Sequence, residues 1–274
     1  MTFHSRNPAA PVGLFVDRLW LFSGGGFDHT RECVLPDGGA DLVIQFEDTP
    51  RHRFDPANPR RRESVRRAWI CGLLSRPTLI DVLPHATMMG AHFKPGGLAP
   101  FLLGPADELA GQLVEVDQLW TSEGTELRER LFECSMLARR FDILEEFLQK
   151  RLAKGMRFDP AVQATVLRLA SAGPTPPIVE LAKASGFSHK HFIRRFQQSV
   201  GLTPKTFARL QRFQFALAHM QNRRLPVDGA GLAAACGYFD QAHFIHDFQS
   251  FSGMTPSAYL RSPGADARFV PLTD

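Results

Sequence analysis

The sequence predicts an α+β protein: a β-rich N-terminal domain followed by an all-α domain with two helix-turn-helix units. Three observations lead there. Residues 1–120 show apolar runs and strand-like alternation broken by Pro and Gly turns, whereas the chain from Asp159 onward shows apolar residues at three- and four-residue spacing. The stretch "GFSHKHFIRRFQQSVGLTP" (Gly186 to Pro204) returns as "GYFDQAHFIHDFQSFSGMTP" (Gly237 to Pro256), with His-Phe-Ile, Phe-Gln and Gly-x-Thr-Pro in matching places. Charge divides the chain in the same way. Residues 161–262 hold 11 Lys+Arg against 4 Asp+Glu, while residues 1–160 hold 20 against 22. The 274 residues are enough for two domains, and the basic half is the one expected to meet a polyanion.

In the first part, residues 1–123, "VLPDGGADLVIQF" (Val34 to Phe46) reads as a turn feeding a strand, and "AWICGLL" and "MMGAHF" as further buried strands. The polar, Arg-rich stretch from Pro50 to Arg67 reads as an exposed loop, a solvated hairpin connection, with an auxiliary phosphate contact as its sharper alternative. "KPGGLAPFLLG" (Lys94 to Gly104) reads as a turn into a short helix; its Pro95-Gly96-Gly97 could present N–H groups to an anion but is first of all a turn.

Residues 124–157 change character. Leu127, Leu131, Ile143, Leu144, Phe147, Leu148 and Leu152 recur at helical spacing among Glu and Arg. This helical segment either packs on the N-terminal domain or pairs two subunits into a homodimer.

From 158 to 262 the reading is helical throughout. Asp159 caps a helix with Pro160 at its first position and Gly173 as terminator. "PIVELAKASG" is a short helix; a turn at Gly186 and a helix from Ser188 to Val200 follow. Thr203-Pro204 opens a long helix striped by Phe207, Leu210, Phe213, Leu217 and Met220, which Asn222 to Pro226 breaks. The short-helix, turn, second-helix unit then repeats, and residues 263–274 are a C-terminal tail.

A short helix, a tight turn and a second helix is a helix-turn-helix. Phe192 and Phe196, like Phe244 and Phe248, are four apart and anchor the second helix of each unit to the core. The opposite faces carry Lys190, Ile193, Arg194 and Gln197, then Gln241, Ala242, Ile245, His246 and Gln249. These side chains suit base edges in a major groove: Arg or Lys toward guanine, Gln toward adenine, Ile or Ala toward a thymine methyl.

"LAKASGFSHKHFIRRFQQSVGLTP" and "LAAACGYFDQAHFIHDFQSFSGMTPSAYL" resemble the two helix-turn-helix units of the AraC/XylS family of transcription regulators, over roughly residues 160–262. The resemblance implies seven helices, two readers joined by a long central helix, and contact with successive major grooves of double-stranded DNA. It also implies RNA polymerase as a partner. The base-facing positions carried over are Lys190, Ile193 and Arg194, then Gln241, Ala242, Ile245 and His246. The family commonly has Arg where His246 stands, and Asp247 adds a negative charge beside it, an expected weakening of the second contact. "LPDGGADLVIQF", "ICGLLSRPT" and "GAHFKPGGLAPFLLGPADELAGQLVEVDQLW" resemble an uncharacterised β-rich sensor-type domain found ahead of some such readers, whose usual form has Cys where Gly39 stands. That implies a small-molecule effector but names none.

Other chemistry finds little support. Cys33, Cys71, Cys134 and Cys236 form no C-x-x-C pair, which argues against zinc or a disulfide framework. Asp81, His85 and His92 lack the spacing of a metal-binding set. Ser23, His29 and Asp37 lack a nucleophile elbow. No enzyme activity, catalytic residue, metal or cofactor is expected. Trp20, Phe22, Phe46, Trp69, His92 and Phe93 are the candidate effector pocket, with a plain sheet core as the competing reading. Two alternatives stay open: an N-terminal domain that only oligomerises, and a DNA-repair protein borrowing the same reader, which would need a reactive Cys cluster this chain lacks. The N-terminus lacks a basic-then-apolar leader and no apolar run approaches ~20 residues; a cytoplasmic protein without membrane contact is expected.

Overall fold

The computed structural model describes residues 2–56, 58–155, 159–171, 176–221, 229–262 and 268–272. Gly173 and the helix break at Asn222 to Pro226 lie outside the described residues.

The N-terminal half forms two antiparallel sheets. The first has strand order β1 (Thr2–Arg6), β2 (Val16–Ser23), β9 (Thr87–Phe93), β4 (Ala40–Gln45), β7 (Ala68–Cys71), β10 (Leu113–Glu115). The second has the order β11 (Phe269–Leu272), β3 (Arg31–Val34), β8 (Thr78–Asp81), β5 (Arg51–Asp55), β6 (Asn58–Val65). Successive strand residues point to opposite faces, and the first sheet uses both. Leu19, Leu21, Leu42, Ile44, Ile70, Met89, Ala91 and Phe93 form one buried face. Trp20, Phe22, Val43, Trp69, Met88 and His92 form the other, which lines a cavity between the sheets.

The buried face is covered by three helices: α1 (Val116–Trp120), α2 (Ser122–Glu133) and α3 (Leu137–Lys154). Leu127, Leu131, Phe141, Leu144, Phe147 and Leu148 share one core with strands β2, β4 and β9. The apolar stripe of these helices is therefore packed on the N-terminal domain. Arg151 is buried there; it donates to the Phe101 carbonyl and pairs with Glu123 at 3.3 Å.

The Arg-rich stretch expected as a loop is a hairpin of β5 and β6. The alternation hidden in it sets Arg51 and Arg53, with Val65 opposite Arg51, on the cavity face and Phe54 on the other. Long guanidinium side chains can face a cavity when carboxylates meet them, so polarity alone misled the reading. Arg60, Arg61 and Arg62 stand exposed on the edge strand, where charge discourages pairing with another sheet.

The helical half contains α4 (Pro160–Ala170), α5 (Ile178–Ala184), α6 (His189–Val200), α7 (Pro204–Gln221), α8 (Gly229–Ala235), α9 (Gln241–Ser252) and α10 (Pro256–Arg261). Its core is a chain of aromatic contacts, with Phe196 against Phe207 and Phe213 against Phe248 and Phe251. Cys33, Leu35 and Leu73 of the N-terminal half and Val270 of β11 belong to that same core. The two halves thus meet along an apolar seam, to which the Gln214 amide donates at 2.6 Å toward the Pro36 carbonyl.

Candidate nucleic-acid interface and ligand cavity

The two repeated units are built by the same local devices. Each first helix ends at a glycine in the left-handed region, Gly186 at φ 74° and Gly237 at φ 73°. Each second helix opens on a capping side chain: Ser188 accepts from the His191 N–H and Asp240 from the His243 N–H. Each second helix closes on a left-handed glycine, Gly201 at φ 95° and Gly253 at φ 74°, whose N–H groups donate to the Gln197 and Gln249 carbonyls. Thr203 and Thr255 then cap the next helix through the Thr206 and Ala258 N–H groups, with Pro204 and Pro256 at its first position. The recurring Gly-x-Thr-Pro is one corner made twice. The C-terminal ends of both second helices abut the sheet domain, Gly201 against Ala110 and Leu73 and Gly253 against Pro77. Their N-terminal halves are left outward.

On α6, Phe192 and Phe196 are buried while Lys190 and Arg194 are exposed and Ile193 and Gln197 half-buried. On α9, Phe244 and Phe248 are buried, Gln241, Ala242 and His246 exposed and Ile245 half-buried. The proposed readers of each unit therefore share its solvent face. Gln241 leans over Gly229, where any larger residue would strike its amide.

Two charges behave differently from expectation. Asp247 is not on the reading face. It is 1% exposed and takes a bidentate contact from Arg209 of α7, with Nη2 at 2.7 Å and Nε at 3.2 Å. Its charge is paired inside the domain, and the exposed His246 ring stands 3.8 Å from it. Asp at that position faces the core because it follows Phe244 by three, a spacing that the sequence displayed. On α6, Arg195 pairs with Asp159 at 2.7 Å and lies over the Phe187 ring, which ties it to α4. Lys190 and Arg194 are the cations of α6 without an ion pair among the described residues.

Residues 181–262 match a family model described as a helix-turn-helix domain, and residues 4–115 match a domain of unknown function (DUF6597). The chain carries an AraC-type helix-turn-helix domain. The sheet domain precedes it in the chain. An uncharacterised helix-turn-helix-type transcriptional regulator of Haemophilus influenzae is 35% identical over 88 residues, 31% of this chain and 28% of the relative. The match thus spans about a quarter of that relative's length. Among solved structures, unsaturated-fatty-acid-bound ToxT of Vibrio cholerae is 11% identical, with a TM-score of 0.46 over 88% of this chain and 93% of that one. The AraC-like transcriptional activator CuxR is 13% identical, with a TM-score of 0.28 over 79% of this chain and 87% of that one. Among the described residues, no helix is long and apolar enough to cross a membrane.

The cavity between its sheets has a volume of about 1000 Å³. Trp20, Phe22, Trp69 and His92 line it. Phe46 and Phe93 do not: Phe93 is buried on the opposite face of the sheet against Phe101, and Phe46 stacks on Phe132 under Arg140. The reason is the two-residue period, since Phe93 directly follows cavity-facing His92. Gly90 lets the Trp20 indole lie close against the sheet, in space a Cβ would take.

Two polar networks sit in the wall. In one, Asp81 receives Arg51 Nε at 3.2 Å, the His52 N–H at 3.0 Å and His52 Nδ1 at 3.0 Å. Arg51 is 8% exposed, and its Nη1 has no hydrogen-bond partner among the described residues. Burial lowers the pKa of the Arg51 guanidinium, and Asp81 offsets part of that. In the other, Asp41 meets Arg268 and, at 2.9 Å, His92 Nδ1; Arg268 also reaches Asp37 at 3.3 Å. Burial pushes the Asp41 carboxyl up, but Arg268 and His92 outweigh it and hold it well below the usual carboxylate range. Burial likewise pushes the Cys71 and Cys33 thiols up to about 11, which leaves them un-ionised and poor nucleophiles. Asp81 and His92 serve separate networks. Among the described residues no group of three His, Cys, Asp or Glu side chains is placed to hold a metal. Sequence reading missed Asp41 and Arg268. A buried acid inside an apolar run, "ADLVI", was the available signal for the first.

Proposed function

We propose that this AraC-type regulator reads double-stranded DNA with α6 and α9 and is controlled by a small molecule held between its sheets. Lys190, Ile193, Arg194 and Gln197 are the first reading set, and Gln241, Ala242, Ile245 and His246 the second. Two readers in one chain address successive major grooves about 34 Å apart, and RNA polymerase is the partner that such a site serves. One observation carries the control: the cavity wall is shared. Met220 and Gln221 at the end of α7, and Tyr259 and Leu260 of α10, line it together with Trp20 and Trp69. An occupant touches the reading domain directly, so its binding energy can differ between arrangements of the two halves, which is what regulation requires.

The test is a thermal-shift screen of the full chain against metabolites, repeated on Val43→Phe. Val43 lies in the cavity wall, and the larger side chain intrudes on the space between the two Trp rings' sheet and its occupant. A compound that stabilises the wild type, alters its DNA affinity, and loses both effects in Val43→Phe supports the reading. Stabilisation that persists undiminished in Val43→Phe refutes the cavity as the site.

A further inference from the structure

The chain does not end at its reader. After α10, with residues 263–267 between, Arg268 to Leu272 return to the sheet domain. There β11 pairs antiparallel with β3, Phe269 opposite Val34 and Leu272 opposite Arg31. The Arg268 carbonyl also accepts from the Leu35 N–H at 2.7 Å. The strand is fixed on both faces. Val270 is 1% exposed in the core that α7 and α9 share with Cys33 and Leu35. Phe269 and Arg268 face the cavity, and Arg268 closes the network with Asp41 and Asp37, which sit on and just before β4 of the opposite sheet. One five-residue segment therefore touches both sheets, the cavity and the reading domain's core.

We propose that residues 268–272 are a C-terminal strap that couples the cavity to the reading domain, with Arg268 as its latch. In sequence the strap follows α9, Gly253 and α10, with residues 263–267 between. Half-buried Arg268 lies between buried Asp41 and half-buried Asp37, so breaking the contact leaves the Asp41 charge uncompensated and whatever disturbs Arg268 is felt in both sheets. A ligand lying against Phe269 and Arg268 bears on that contact and, through it, on α10. The strap rests on the ligand-cavity reading for its biological use, but its mechanics do not need the ligand.

Coupling is reciprocal, so duplex DNA at low salt serves as the probe in place of a ligand. Hydrogen exchange is followed in the full chain with and without DNA. The wild type should show DNA-dependent exchange, about tenfold slower, at Leu35 and along β3 and β8. Two variants test the strap: truncation after Ser262, and Arg268→Gln, which keeps the strand. Arg268→Lys is the conservative control. Both test variants should still bind DNA and keep slow exchange in β2, β4 and β9, while the DNA-dependent change at β3 and β8 disappears; Arg268→Lys should retain part of it. If the change survives truncation undiminished, the strap is not the coupler. If the wild type binds DNA and shows no change in the sheet domain at all, both the strap and effector control fall. If the strap variants uncouple as expected but no metabolite occupies the cavity, the strap stands and only the effector reading fails.

Discussion

Replacing Arg209 by Met removes the guanidinium from Asp247 and keeps most of the side-chain volume. The consequence can be worked from the geometry. The Asp247 side chain is 2% exposed, and Arg209 supplies its close donors at 2.7, 3.2 and 3.3 Å; the His243 and His246 rings stand 3.8 Å away. Removing one partner of a buried pair costs about 3–5 kcal/mol, because the other charge stays buried without compensation. Arg209 is itself 30% exposed, so water reaches its side of the pair. That places the expected loss nearer the low end, about 2–4 kcal/mol. The assay is urea unfolding of the full chain, with the transition of the reading domain followed by far-ultraviolet circular dichroism. Asp247→Asn and the double variant complete a cycle, in which the double should be less destabilised than the sum of the singles. Because Arg209 stands on α7 and Asp247 on α9, the same variant should blur the second reader's base preference while the first reader's is kept. A loss under about 0.5 kcal/mol, the range of an ordinary surface change, or strict additivity in the cycle, would refute the argument that Arg209 compensates a buried Asp247 charge.

Three further outcomes follow from the structure. Arg194→Ala should weaken DNA binding by about 1–3 kcal/mol, concentrated on one base position, whereas Arg195→Ala, whose cation is already held by Asp159, should change affinity less; binding isotherms on point-substituted duplexes distinguish the two. Gly253→Ala forces a Cβ into a φ of 74° and should lower the melting temperature, at a cost of about 1 kcal/mol; unchanged melting would mean the corner relaxes. Asp41 has a lowered pKa in the folded chain, so its contribution to stability is fully present above about pH 4, the unfolded value, and is lost as the pH falls through the folded one. Melting curves followed from pH 5 down to the most acid pH at which the chain still folds should therefore show, below about pH 4, an acid-sensitive component that Asp41→Asn lacks.

The reading domain was legible in the sequence because its signals are local. Gly186, Gly201, Gly237 and Gly253, with Thr203-Pro204 and Thr255-Pro256, announce helix ends by the backbone angles and caps that only such residues supply. The Phe192/Phe196 and Phe244/Phe248 pairs announce the buried face. What escaped were pairings across long separations. No pattern around Asp41 names Arg268 as its partner, 227 residues away, and nothing in "RFVPL" says that the strand belongs to the first half of the chain. The cavity was half legible: Trp20, Phe22, Trp69 and His92 stand in its wall, but strand register decided against Phe46 and Phe93. Register depends on strand partners that local composition does not reveal.

The first sheet keeps two ledgers of residues that never mix. Leu19, Leu21, Leu42, Ile44, Met89, Ala91 and Phe93 answer to the helices beneath; Arg18, Trp20, Phe22, Val43, Met88 and His92 answer to the cavity above. A substitution in the second set alters what fits between the sheets and leaves the first set's packing in place. Selectivity for an occupant can therefore drift, or be rewritten by design, one odd-or-even position at a time, with the scaffold and its DNA reader carried along unchanged.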